Sequence, residues 1–87
     1  MALREPIPLL RLFGQWQPTG YLAELAQNCI IHCARFHQED RSADLTVTFG
    51  ELSPEPASLR ALGTVLAGCY GMSRVSFRLK DTPQPAR

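Results

Sequence analysis

Between Ala43 and Lys80 the hydrophobic period of the chain changes twice. In ADLTVTFG, Leu45, Val47 and Phe49 alternate with Asp44, Thr46 and Thr48. In PASLRALGTVLAGCY, Leu59, Leu62, Leu66, Cys69 and Tyr70 fall on one helical stripe, and MSRVSFRLK returns to alternation, with Val75, Phe77 and Leu79 against Arg74, Ser76, Arg78 and Lys80. Period two, then 3.6, then two again prescribes a strand–helix–strand unit. Each strand is apolar on one side only, so the sheet buries one face and leaves the other open.

The rest of the chain is built around that unit. Its 87 residues allow one domain, expected over 1–80, with the proline-bearing DTPQPAR of 81–87 as an unpacked, disordered tail. In MALREPIPLLRLFGQWQ (1–17), Ile7, Leu9 and Phe13 fit a strand, whereas Leu9, Leu12, Phe13 and Trp16 fit a helix. A strand is preferred because it completes a three-stranded sheet. QPTG is a breaker, with Thr19 as a helix cap. GYLAELAQNCIIHCARFHQ then reads as one long amphipathic helix, its stripe formed by Leu22, Leu25, Ala26, Cys29, Ile30, Cys33 and Phe36. QEDRSAD reads as a charged loop. Ser53 with Pro54 is the expected start of the next helix and Gly71 its left-handed end. Strands that flank a helix and pair directly run parallel. The expected class is therefore α/β in the α+β sense: a small two-layer sandwich of about three strands with two helices packed on one face, of ferredoxin-like or split βαβ type. Gly63 and Gly68 weaken the second helix unless a strand backbone approaches it closely.

Formal net charge is only +1, but its distribution is uneven. Glu39 to Glu55 holds five acidic residues against Arg41, and Pro56 to Arg87 holds five basic residues against Asp81, so the chain is a charge dipole. Three cysteines without framework spacing suit a reducing compartment. No run approaches the ~20 apolar residues that span a bilayer, and Pro8 and Arg11 break the N-terminal apolar patch that a signal segment would need. A cytoplasmic protein is expected, without membrane partner. Eight of the nine basic residues are arginine, which suits a GC-rich bacterial or phage genome.

No motif of known chemistry stands in the chain. On the expected helix, Cys29, Cys33 and His37 fall at i, i+4 and i+8 and span about 12 Å at 1.5 Å per residue, too far for one ion with bonds near 2 Å. Cys29 and Cys33 lie on the apolar stripe, where cysteine packs as a small hydrophobe; a nucleophilic thiol needs exposure and positive surroundings. No metal, cofactor or catalytic residue is expected.

The remaining constellation is the polar side of the last strand: Arg74, Arg78 and Lys80, with Thr46 and Thr48 beside them. Tyr21 and Trp16, near the start of the first helix, are further contact candidates, since both residue types recur at binding hot spots; the competing role for a single Trp is the core. These residues support a non-enzymatic protein-interaction module (adaptor, accessory subunit or inhibitor), whose partner is another protein or a second copy of the chain. A nucleic-acid module on the same basic face is the alternative. Sheets that bind RNA place aromatic side chains on the open face, and here Phe49 and Phe77 belong to the buried side. A thiol-based enzyme or redox protein is the remote third reading.

Overall fold

The computed structural model describes residues 2–80; the tail expected over 81–87 lies outside them. The elements are β1 (Ala2–Pro8), α1 (Leu9–Leu12), α2 (Gly20–Asn28), β2 (Ile30–His37), β3 (Ser42–Thr48), α3 (Pro56–Cys69) and β4 (Arg74–Leu79). They build one mixed sheet in the order β1-β2-β3-β4, in which β1–β2 and β2–β3 are antiparallel and β3–β4 parallel. The expected α+β class holds. The sheet has four strands rather than three, and because β3 and β4 are immediate neighbours the βαβ unit is not split. Residues 2–12 resolve their ambiguity by being both things in turn, a strand and then one helical turn.

The core lies on one side of the sheet. Ala43, Leu45 and Val47 of β3, Ile31 and Ala34 of β2 and Val75 of β4 pack with Leu25 and Ala26 of α2 and Leu62 and Leu66 of α3. Leu9, Phe13 and Trp16 close the same cluster. Trp16, offered above as a contact residue, is 9% exposed and belongs to this core. Tyr21, at the start of α2, is 55% exposed.

The principal correction concerns residues 29–38, where a strand stands in place of the helix. Cys29 takes an extended conformation and its N–H closes α2 on the Ala26 carbonyl at 3.2 Å. β2 follows at once, beginning with Ile30 and Ile31, whose β-branched side chains suit a pleated surface better than a helix. Its pairing with β3 shifts between Ile31 and Cys33, a β-bulge that makes His32 the extra residue. The bulge sets the inward side chains Ile31 and Ala34 three positions apart. Three is a helical spacing, so the bulged strand imitates a helix in sequence. Cys33 accordingly leaves the core for the other face, and Phe36 is 52% exposed.

The charged loop shrinks to residues 38–41, and Ser42 and Ala43 open β3. Helix α3 begins one proline later than expected. Glu55, the residue before Pro56, is barred from the helical region by the proline ring and stays extended, so Pro56 rather than Pro54 takes the first helical position. At the other end Gly71 adopts φ +64, and the Met72 N–H returns to the Ala67 carbonyl at 2.8 Å, the two-residue left-handed cap that ends many helices. Cys69 faces outward rather than into the stripe. No helix among the described residues is long and apolar enough to cross a membrane.

Candidate interaction face

The face opposite the core is a polar grid set by strand register. Three rows run across β2, β3 and β4: His37–Ser42–Arg74, Arg35–Asp44–Ser76 and Cys33–Thr46–Arg78. A fourth is formed where the Nε2 of His32 meets the Thr48 hydroxyl at 2.9 Å. The alternation of β3 and β4 thus places Thr46 and Thr48 on the same side as Arg74 and Arg78, as their period required. Lys80 follows β4 directly; its N–H donates to the Val47 carbonyl at 2.8 Å, continuing the ladder.

The first row is held by charge-assisted contacts. Asp44 meets the Nε2 of His37 at 2.8 Å and the Arg74 guanidinium at 3.5 Å. Ser42 donates to the Asp40 carboxylate at 2.7 Å and lies 3.4 Å from an Arg74 nitrogen that donates to it. The Ser42 hydrogen bond holds the Asp40 carboxyl below its ordinary pKa, and the Arg74 guanidinium and the nearby His37 imidazole act in the same direction. At the opposite end of the face, burial and the charge of Lys80 lower the pKa of His32. Asp44 is half exposed, so its ion pairs orient side chains more than they stabilise the fold.

Between these ends lies a shallow depression of about 290 Å³, lined by Cys33, Arg35, Asp44, Thr46, Ser76 and Arg78 together with the apolar Leu45 and Phe77. Arg35 and Arg78 are exposed and, among the described residues, make no ion pair. Their planar forks are suited to carboxylates, and the hydroxyls of Thr46 and Ser76 supply neutral donors between them. The geometry can hold acidic side chains. No aromatic ring alternates with the cations on this face: Phe49 is buried, and Phe77, which borders the depression, is partly buried and packs against the core.

The cysteine–histidine series does not come together. Cys29 is buried at the end of α2, where desolvation raises its thiol pKa to about 12. Cys33 is half-buried on the open face, and His37 is engaged by Asp44. Among the described residues no three His, Cys, Asp or Glu side chains are placed to hold a metal ion.

Arg35, His32 and His37 belong to this face and were not expected there, because residues 20–38 read as one helix; Asp44 stands where its alternation with Leu45 put it. The signal that could have placed them was the Ile30–Ile31 pair following Asn28, whose side chain turns back to the Glu24 carbonyl at 2.8 Å at the end of α2.

Fold and face together define a small α+β domain whose mixed sheet is covered on one side and polar and net basic on the other. No family model, curated protein or solved structure matches the chain.

Proposed function

We propose that the protein is a small, non-enzymatic, cytosolic interaction module, an adaptor, accessory subunit or inhibitor, that binds an acidic protein surface through the open face of its sheet. The observation that supports this reading is the position of Arg35 and Arg78, exposed, without ionic partners among the described residues, and set either side of Asp44, Thr46 and Ser76. Asp44, in the middle of the grid, opposes a continuous phosphate track and favours a partner with discrete carboxylates. Arg74, Lys80 and Thr48 extend the surface to both ends of the face.

The test compares wild type with Arg74→Glu/Arg78→Glu as bait for proteins of the source cell, with quantitative mass spectrometry of what is retained. Acidic partners held by wild type, released by salt and absent from the variant are expected. Identical partners on both baits would remove the face from the account. Retention on DNA or RNA at low salt, with log affinity falling linearly against log salt, would replace this reading with the nucleic-acid one. A native mass spectrum taken beforehand separates a monomer with this face free from a homodimer that covers it.

A further inference from the structure

β4 is an edge of the sheet: β3 pairs with it on one side, and among the described residues no strand pairs with the other. Since the Lys80 N–H points to β3, the alternation of a parallel ladder turns the N–H and C=O groups of Leu79, Phe77 and Val75 away from it. The Val75 carbonyl faces the backbone of Gly63, so α3 already covers that group. Among the described residues, the outward donors and acceptors of Phe77 and Leu79 have no backbone partner. Beside this edge runs a groove of about 730 Å³ between β4 and α3. Its α3 wall includes Pro56, Arg60, Thr64 and Gly68, an exposed stripe at i+4 spacing, and Leu59, Met72 and Phe77 give it an apolar floor. The lining contains two arginines, Arg60 and Arg74, and no Asp or Glu.

We propose that this groove binds an extended peptide segment of a partner protein, one that adds as a fifth strand to the β4 edge and carries carboxylates among apolar side chains. The mode is strand addition, in which main-chain hydrogen bonds supply affinity and side-chain pockets supply selectivity. Three observations fix the occupant. The unpaired groups of Phe77 and Leu79 require a backbone in extended form. The floor, together with Leu79, which is 43% exposed, requires apolar side chains on one side of that backbone. The all-basic charge of the lining requires acidic ones.

A second copy of the chain fits poorly. Antiparallel pairing of β4 with its copy about Ser76 sets Arg74 opposite Arg78 twice, and pairing about Phe77 sets Arg74 opposite Lys80 twice. Like charges directly opposite one another destabilise a ladder, and charged edges are a common defence against such pairing. The edge is therefore closed to itself and open to an acidic strand. The groove shares Arg74 and Ser76 with the open face, but its occupant is fixed by the free edge and the α3 wall and does not depend on the function proposed for that face.

Gly68 supplies the discriminating variant, because a Cβ there meets nothing within 4 Å. Gly68→Leu fills the groove without disturbing the core or the open face; an unchanged circular dichroism spectrum confirms its fold. A random dodecapeptide display library is panned on wild-type protein, and enriched sequences are synthesised with a fluorophore. The expected peptides combine Asp or Glu with apolar residues, bind Gly68→Leu at least tenfold more weakly, and slow amide hydrogen exchange at Phe77 and Leu79. Enriched peptides that bind Gly68→Leu as well as wild type, basic peptides, or no enrichment at all would overturn the proposal. Slow exchange at those amides in protein alone, increasing with concentration, would overturn it in favour of self-pairing. Peptides lost with Arg35→Glu, which lies on β2 away from the β4 edge, but not with Gly68→Leu would reject the groove in favour of the open face. The reverse pattern would uphold the groove.

Discussion

A Cβ built on Gly63 would stand 1.9 Å from the carbonyl oxygen of Val75 and 3.1 Å from its carbonyl carbon. Backbone meets backbone at this crossing of α3 and β4, so neither side can yield by rotating a side chain. Gly63→Ala is expected to lower stability by about 2 kcal/mol or more, an overpacking cost only partly offset by the roughly 1 kcal/mol that alanine gains in a helix. Gly68→Ala, in the same helix with open space around it, should raise stability by up to about 1 kcal/mol. Urea denaturation midpoints of the two variants check both signs, and a Gly63→Ala protein as stable as wild type would contradict the crossing.

Tyr70 caps α3 and packs edge-on against Phe13, with ring centroids 5.1 Å apart. Its buried hydroxyl has no hydrogen-bond partner among the described residues. A buried, unsatisfied hydroxyl costs stability, so Tyr70→Phe should be neutral or stabilising by up to about 1 kcal/mol while keeping the ring contact. A shift in thermal midpoint, read by calorimetry, decides the sign; clear destabilisation would mean that the hydroxyl has a partner.

Stability should fall at both ends of the pH scale for different reasons. Burial and Lys80 hold the folded pKa of His32 below its ordinary 6.5, so the unfolded chain takes the proton first. This contribution is complete above 6.5 and is lost as pH drops through the depressed value. Cys29 is shifted the other way, from 9.0 to about 12; its contribution is complete below 9.0 and is lost as pH climbs toward 12. Denaturation midpoints across pH should show a plateau between these limits. His32→Gln should flatten the acid shoulder just below 6.5, and Cys29→Ala the alkaline one.

The three thiols should separate by reactivity. Cys69 is exposed, Cys33 half-buried and Cys29 buried with a raised pKa, and alkylation requires an accessible thiolate. Mild iodoacetamide treatment followed by peptide mass mapping should modify Cys69 first, Cys33 next and Cys29 only after denaturation. Early labelling of Cys29 would show that the end of α2 opens readily.

Asp44→Asn should change binding more than folding. The pairs with His37 and Arg74 are half exposed, so their loss should cost under about 1 kcal/mol. It also removes the negative charge at the centre of the open face. An acidic partner should then bind severalfold more tightly and with a steeper salt dependence, measurable by titration calorimetry. Weaker binding would show that Asp44 itself contacts the partner.

The open face was legible where the chain alternates without interruption. Thr46, Thr48, Arg74 and Arg78 could be set on one side from period alone, because in an unbulged strand two residues of the same parity share a face. Arg35 and His32 could not, since the bulge after Ile31 breaks parity and substitutes a three-residue spacing. The distinction between Gly63 and Gly68 was equally hidden: both are small residues within one helix, and only the position of β4 tells which one is crowded.

What the sequence determined by itself is local. It specified two one-sided strands around a helix, the left-handed stop at Gly71 and the uneven distribution of charge, all of which follow from periodicity and from the conformational limits of single residues. The tertiary structure decided the rest. Pairing with β3 turned residues 30–37 into a strand, because the hydrogen-bonded ladder, the burial of Ile31 and Ala34 and the β-branched Ile30–Ile31 pair outweigh the helical spacing of the apolar residues. It also set β4 at the rim of the sheet, where an unpaired backbone edge lies beside a basic groove. Strand order is a long-range choice, and nothing in the residues of β4 alone could reveal it.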